Sequence, residues 1–221
     1  RSEAPRECCG FILSSGAVYK AQNVSSDENR FTIAPEEFVA ASAQGDIKAV
    51  YHSHPVTDPV FSEFDKFNSV SHNLKYVLYS LRDNSFSQFD PNLSTFNQYI
   101  GRTFEIGSTD CFALVRDFYK QELNIILNNY KRDENWKSNL VDLFDKHFKS
   151  EGFYEAAQPN KYDCILIRLK KDAPSAHIAL YVGDNLILHQ PEKSFSRIEE
   201  YSDKYKKLTS HIIRHKSWTS V

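Results

Sequence analysis

Apolar and polar residues in this chain change period several times, and those changes divide it into elements. Residues 9–13 and 17–24 read as two short strands around the turn Ser14-Ser15-Gly16. Pro35, Glu36 and Glu37 stand where a helix should start, and its pattern runs on toward Ala43. Ile47 to His52 reads as a strand. Ser62 is placed as the N-cap of a helix whose third residue is Asp65, with Phe64, Phe67 and Val70 on one face. Residues 76–81 and 85–90 form a hairpin across Arg82-Asp83-Asn84. Pro91-Asn92-Leu93-Ser94 breaks the pattern, so a domain boundary is expected near 91–97, dividing the chain into 1–92 and 97–221. After a loop ending at Gly107, one helix is expected from Asp110 to Leu123, with Leu114, Val115 and Phe118 inward. A second, from Asn135 to Lys149, carries Leu140, Leu143, Phe144 and Phe148 at helical spacing. The last third is strand-like at 163–169, 177–182, 186–189 and 210–215, and Lys204 to Lys207 read as a solvated face.

Composition narrows the function classes. A length of 221 residues suits two modest domains or one large one, and 41% hydrophobic with 25% charged residues is ordinary for a folded soluble protein. A net charge of −2 gives no general attraction to nucleic acid or to anionic membrane. The longest apolar runs, such as Ile178 to Val182, are of strand length, so no stable membrane insertion is expected. No signal-peptide pattern opens the chain. Four cysteines, two of them adjacent, are too few and too unevenly placed for a disulfide framework, which fits reduced thiols and synthesis in a cytoplasm. With no Met anywhere, the chain is expected to begin inside its first domain, at the expense of an N-terminal helix.

The first candidate chemistry lies in His52-Ser53-His54-Pro55 and the Ser62 and Asp65 that follow it. Histidines at i and i+2 on a strand point to the same side of the sheet. Asp65 adds a carboxylate, making two nitrogens and one oxygen with a fourth tetrahedral position open, the ligand set of a catalytic zinc site. Glu7, in Arg6-Glu7-Cys8-Cys9-Gly10-Phe11, is the candidate general base. Alone, His-Ser-His-Pro reads more readily as a strand end entering a proline turn with exposed imidazoles; Ser62 and Asp65 in register turn the reading to the metal. The whole spacing, with its upstream Glu, resembles the JAB/MPN family of zinc metallopeptidases. The resemblance implies His52, His54 and Asp65 as zinc ligands, Glu7 as acid/base and Ser62 as stabiliser of the tetrahedral intermediate.

The second candidate is Cys111, at a predicted helix start after Gly107-Ser108-Thr109-Asp110. A helix N-terminus directs free N–H groups at the thiol, favours its thiolate and can serve in an oxyanion hole. His177 opens one predicted strand and His189 closes the next across the Gly183-Asp184-Asn185 turn, so the two imidazoles can meet. A lone cysteine on a helix is usually a small core residue, the reading given to Cys164. His72, His147, His211 and His215 have no comparable partners and read as surface or satisfied core residues. Asp-Cys at a helix start, followed by His-Ile-Ala-Leu-Tyr-Val-Gly and a second His, resembles the NlpC-type family of papain-like cysteine peptidases, which cleave bacterial cell-wall peptides. The resemblance implies Cys111 as nucleophile, His177 as base and His189 as the orienting residue. Two departures stand out: Phe112-Ala113 replaces the family's Ser-Gly, and its upstream Tyr is either replaced by Phe104 or supplied by Tyr99.

A JAB/MPN domain followed directly by an NlpC-type domain is similar to the tail-tip assembly family of lambda-like siphophages, over essentially all 221 residues. It implies an α+β fold in two domains, a JAB/MPN-like mixed sheet with flanking helices and a papain-like NlpC-type domain. It also implies residence in the virion tail tip after synthesis in the host cytoplasm, with other tail-tip proteins and peptidoglycan peptide stems as partners. Two readings stay open: a bifunctional peptidase, and an assembly protein in which one or both sites are vestigial.

Overall fold

The computed structural model describes residues 3–132, 143–171 and 173–218. The chain forms two compact units, Arg1–Asn97 and Gln98–Val221. Both are mixtures of helix and sheet, so the fold is α+β in two domains.

In the first unit the elements are β1 (Cys9–Leu13), β2 (Val18–Ala21), α1 (Pro35–Ser42), β3 (Ile47–His54), α2 (Glu63–His72), β4 (Lys75–Ser80) and β5 (Phe86–Phe89). The five strands lie in the order β2-β1-β3-β4-β5. All neighbours are antiparallel except β3 and β4, which run parallel and are therefore joined by a crossover, here α2. One face of the sheet is apolar: Phe11, Val50 and Tyr76 align in register across three strands, as do Cys9, His52 and Leu78. Ala41 of α1 and Phe61 complete this core. Gly10 permits the strands' close approach, since a Cβ there would meet the Tyr19 carbonyl at 2.1 Å.

In the second unit the elements are α3 (Cys111–Glu122), α4 (Leu143–His147), β6 (Phe153–Glu155), β7 (Cys164–Arg168), β8 (Ser175–Gly183), β9 (Leu186–His189), β10 (Arg197–Glu200), α5 (Asp203–Leu208) and β11 (Thr209–His215). Six antiparallel strands are ordered β10-β9-β8-β7-β11-β6. Helix α3 packs on β8 and β9, while α5 lies against β7.

Several elements differ from the sequence expectation. Strand β3 continues two residues past His52 to include His54. Strands β6 and β10 and helix α5 are additional, because each is too short to leave a periodic signal, and β10 and α5 are mostly charged as well. Of the helix expected over 135–149, Leu143–His147 is helical and residues 133–142 lie outside the described residues. All four cysteines are free thiols. Among the described residues, no helix is long and apolar enough to cross a membrane.

Candidate functional site

The first unit gathers His52, His54 and Asp65. Their ligating atoms lie within 4.8 Å of one another. His52 and His54 share a face because the strand period is two, and the β1–β3 register, Cys9 opposite His52, carries the preceding Glu7 toward His54. Reciprocal bonds between Cys8 N–H and Ser53 Oγ, and between Ser53 N–H and Cys8 O, both 3.0 Å, hold this approach. Glu7 Oε1 lies 3.6 Å from His54 Nε2.

Asp65 arrives by helix geometry. Ser62 caps α2, its Oγ accepting the Asp65 N–H at 3.0 Å, while Asp65 Oδ2 accepts from the Ser62 N–H at 3.0 Å and from its hydroxyl at 2.7 Å. This reciprocal box leaves Oδ1 facing His52 Nε2 at 3.6 Å. The Ser62 hydroxyl proton is thus committed to Asp65, so in this arrangement Ser62 orients a ligand candidate.

The residues fit a metal ion. His52 is 1% exposed, and both its ring nitrogens are buried with no hydrogen-bond partner. An imidazole buried against Phe31, stacked at 4.6 Å, with nothing to satisfy its lone pair carries a desolvation penalty that a cation at Nε2 removes. His54 Nδ1 donates to the Asp58 carbonyl at 3.0 Å, with Thr57 Oγ1 also 3.0 Å away, which assigns the proton to Nδ1 and the lone pair to Nε2. Burial, with repulsion from Asp65 and Asp27, pushes Glu7 up to about 8, and burial lowers His54. Burial acts to raise Asp65, yet the close imidazole of His52 and the hydrogen bonds from Ser62 hold it below the usual carboxylate value.

In the second unit Cys111 is the first residue of α3. Asp110 caps that helix: Oδ1 accepts the Ala113 N–H at 2.9 Å, and Oδ2 accepts the Gly107 N–H at 2.7 Å and Arg132 Nε at 2.6 Å. Gly107 has φ +81°, and a Cβ there would press on the Arg132 carbonyl at 2.9 Å, so the turn into the helix requires glycine. His177 on β8 and His189 at the end of β9 meet, Nε2 to Nδ1, at 2.9 Å. Helix α3, which Cys111 begins, packs on both of these strands.

Glu199 was missed from the sequence. Its Oε1 lies 2.6 Å from His189 Nε2, a charge contact off the line of the ring N–H. Tyr205 donates to the same oxygen at 2.5 Å, and Arg197 Nε donates to Oε2 at 3.1 Å. The contact with His189, then the hydrogen bonds from Tyr205 and Arg197, outweigh burial and hold Glu199 far below the ordinary carboxylate value. The adjacent acidic residues of Ile-Glu-Glu-Tyr carry no sequence signal that would have found it.

The two departures at this site have structural counterparts. Phe112 is buried against Tyr130 and Phe144, under the Arg132 guanidinium at 4.8 Å, so it acts as an anchor beneath the helix start. Tyr99 bonds Gln121 and Glu122 at 3.0 and 2.9 Å. These lie at the end of α3 opposite Cys111, roughly 15 Å away along the axis, so Tyr99 does not supply the contact expected near the thiol.

Comparison with known proteins covers both units. Residues 1–91 match the family of prokaryotic homologues of the JAB domain, and residues 98–215 match the NlpC/P60 family. Tail tip assembly protein K of Escherichia phage lambda is 33% identical over 190 residues, which span 84% of this chain and 90% of that protein. The protein of the same name from Escherichia phage N15 is 26% identical over 225 residues, spanning 97% and 90%. Among solved structures, an NLP/P60 family protein from Staphylococcus aureus is 12% identical, with 84% of this chain and 50% of that one covered at a TM-score of 0.39.

Proposed function

The chain belongs to the family of tail tip assembly proteins K, in which a JAB domain precedes an NlpC/P60 domain, and on that premise we propose that it is a tail-tip component carrying two peptidase sites of different mechanism. The second unit is a cysteine endopeptidase for the peptide stems of peptidoglycan. The first is a zinc-dependent peptidase or isopeptidase. Both act in tail assembly or in penetration of the cell wall, alongside other tail-tip proteins.

The observation that carries the cysteine reading is the hydrogen-bonded His177–His189 pair, on strands that support the helix begun by Cys111. Cys111 Sγ gives its proton to His177 and attacks the amide carbonyl carbon, forming a C–S bond. Amide N–H groups at the start of α3 stabilise the oxyanion. The C–N bond breaks as His177 passes the proton to the leaving amine. Water then attacks the thioester, releasing the carboxylic acid and restoring the thiol. His189 keeps the base ring in place throughout.

In the first unit, His52, His54 and Asp65 would hold zinc, which supplies Lewis acidity and makes a coordinated water more acidic. Glu7 accepts and returns the proton, and Ser62 fixes Asp65.

The test is digestion of purified peptidoglycan, with products identified by mass spectrometry. Cuts should fall within the peptide stem, Cys111→Ala should abolish them, and a chelator should leave them largely intact. Loss on chelation with no effect of Cys111→Ala would move the lytic activity to the first unit. About one zinc per chain should be found by elemental analysis, lost in the double variant His52→Ala, His54→Ala and retained in Glu7→Gln. A second reading, assembly without catalysis at the thiol, is favoured by Phe112 and by Tyr99 bonding at the far end of α3. It predicts no digestion by a folded, zinc-loaded protein.

A further inference from the structure

Three adjacent strands carry one diagonal of polar side chains. In the β8–β9 register Ala179 stands opposite His189, so His177 is the diagonal neighbour of His189 on the same face. In the β9–β10 register Arg197 stands opposite His189, which makes Glu199 its diagonal neighbour on the other side. The three side chains meet in sequence: Glu199 Oε1 to His189 Nε2 at 2.6 Å, and His189 Nδ1 to His177 Nε2 at 2.9 Å. Nothing in the His177–His189 pair itself decides which nitrogen holds a proton, because each ring can donate or accept.

We propose that Glu199 is a positioning residue that sets the tautomers of both histidines and so creates the base at His177; this rests on the cysteine-peptidase reading of the same site. A carboxylate has only acceptors, and a nitrogen lone pair 2.6 Å from it would be repulsive, so His189 carries its proton on Nε2. A neutral His189 then has a lone pair on Nδ1, and the 2.9 Å contact requires the donor to be His177 Nε2–H. A neutral His177 protonated on Nε2 has its lone pair on Nδ1, the nitrogen left to take the thiol proton. When Nδ1 gains that proton, the positive charge is spread toward Glu199 through the His177–His189 hydrogen bond and the charge contact beyond it. Glu199 is kept ionised and in place by groups that face it from its own strand, Arg197, and from α5, Tyr205. His189 is 1% exposed, so no solvent exchanges for the carboxylate.

The test reads tautomers and thiol reactivity, neither of which needs the natural substrate. In the full-length protein with 15N-labelled histidine, NMR at neutral pH should show His189 and His177 each protonated on Nε2 alone. Iodoacetamide alkylation of Cys111 should slow by on the order of 10- to 100-fold in Glu199→Ala, with its pH profile displaced, because a base in the wrong tautomer cannot take the proton. Glu199→Asp should recover most of that rate, while Glu200→Ala, the neighbouring exposed carboxylate, should leave it unchanged. His177 protonated on Nδ1 alone, with Nε2 bare, in the wild type would overturn the inference even if no variant folds. An unchanged alkylation rate and pH profile in folded Glu199→Ala would do the same. The expected tautomers and rates in a protein that fails to digest peptidoglycan would uphold Glu199's role and remove the assigned substrate.

Discussion

Replacing Ser62 by alanine separates two jobs that one hydroxyl performs. It accepts the Asp65 N–H at 3.0 Å and donates to Asp65 Oδ2 at 2.7 Å. Loss of an N-cap costs about 1 kcal/mol, and loss of a hydrogen bond to a buried carboxylate roughly 1.5 kcal/mol. The two share an atom, and the Ser62 N–H still reaches Oδ2 at 3.0 Å, so the sum is an upper bound and about 2 kcal/mol is expected. For a unit of this size, that corresponds to a fall of roughly 8–16 °C in the melting midpoint of the zinc-free protein. Both tryptophans, Trp136 and Trp218, belong to the second unit, so their fluorescence should not report the change, whereas hydrogen exchange of the α2 amides should. Freed of its donor, Asp65 can rotate Oδ1 away from His52, and zinc affinity in a chelator competition should weaken by about 10- to 100-fold. Ser62→Thr should preserve both properties. Faster α2 exchange with zinc affinity within about twofold of wild type would refute the idea that Ser62 orients a ligand, and would return it to direct action on substrate.

Three further outcomes are expected. Brief iodoacetamide treatment at pH 8 should modify Cys111 and spare Cys9 and Cys164, which burial pushes up to about 12, so that only about one in 10⁴ is ionised; modification of Cys164 first, by mass spectrometry, would contradict this. Gly107→Ala should lower the stability of the second unit by about 1–3 kcal/mol through its φ of +81° and the 2.9 Å approach to Arg132 O; an unchanged urea midpoint followed by tryptophan fluorescence would show the turn relaxes freely. Glu199 has its folded pKa depressed, so its stabilising contribution is complete above the unfolded value of about 4.3 and is lost as pH falls toward the folded one. The urea-unfolding gap between wild type and Glu199→Ala should therefore narrow from pH 7 to pH 3, and a gap that widens would reverse the sign.

What was legible followed from local rules. Strand periodicity put His52 and His54 on one face, and the serine before an acidic helix start marked both the cap and the place of Asp65. The Gly107-to-Cys111 segment announced a helix start because its turn, cap and first residue are consecutive. Pairing beyond the hairpins was not legible. Arg-Ile-Glu-Glu has a single apolar residue and a composition poor in strand formers, so β10 gave no pattern, and its carboxylate meets His189 only through a register that local sequence does not encode. The lysines of 204–207 are solvated as expected, but the helix they ride on was hidden by its short length. Tyr99 was offered as a neighbour of the thiol because it lies upstream of it in sequence. The helix between them turns that proximity into separation.

The crossover from β3 through α2 to β4 bears on the order in which the two sites come into being during folding. Asp65 follows His52 by thirteen residues, whereas Glu199 follows Cys111 by eighty-eight. Closing a loop costs an entropy that grows with the logarithm of its length, and contacts between distant residues form late. The three metal-ligand candidates can therefore gather on one strand and one helix turn while the remainder of their sheet is still assembling, and a cation present then would act as a folding nucleus. The thiol site has no such local precursor. Its imidazole chain exists only once β8, β9 and β10 are all in register, so on the proposed role of that chain reactivity at Cys111 should be a late and stringent sign that the second unit has reached its native state.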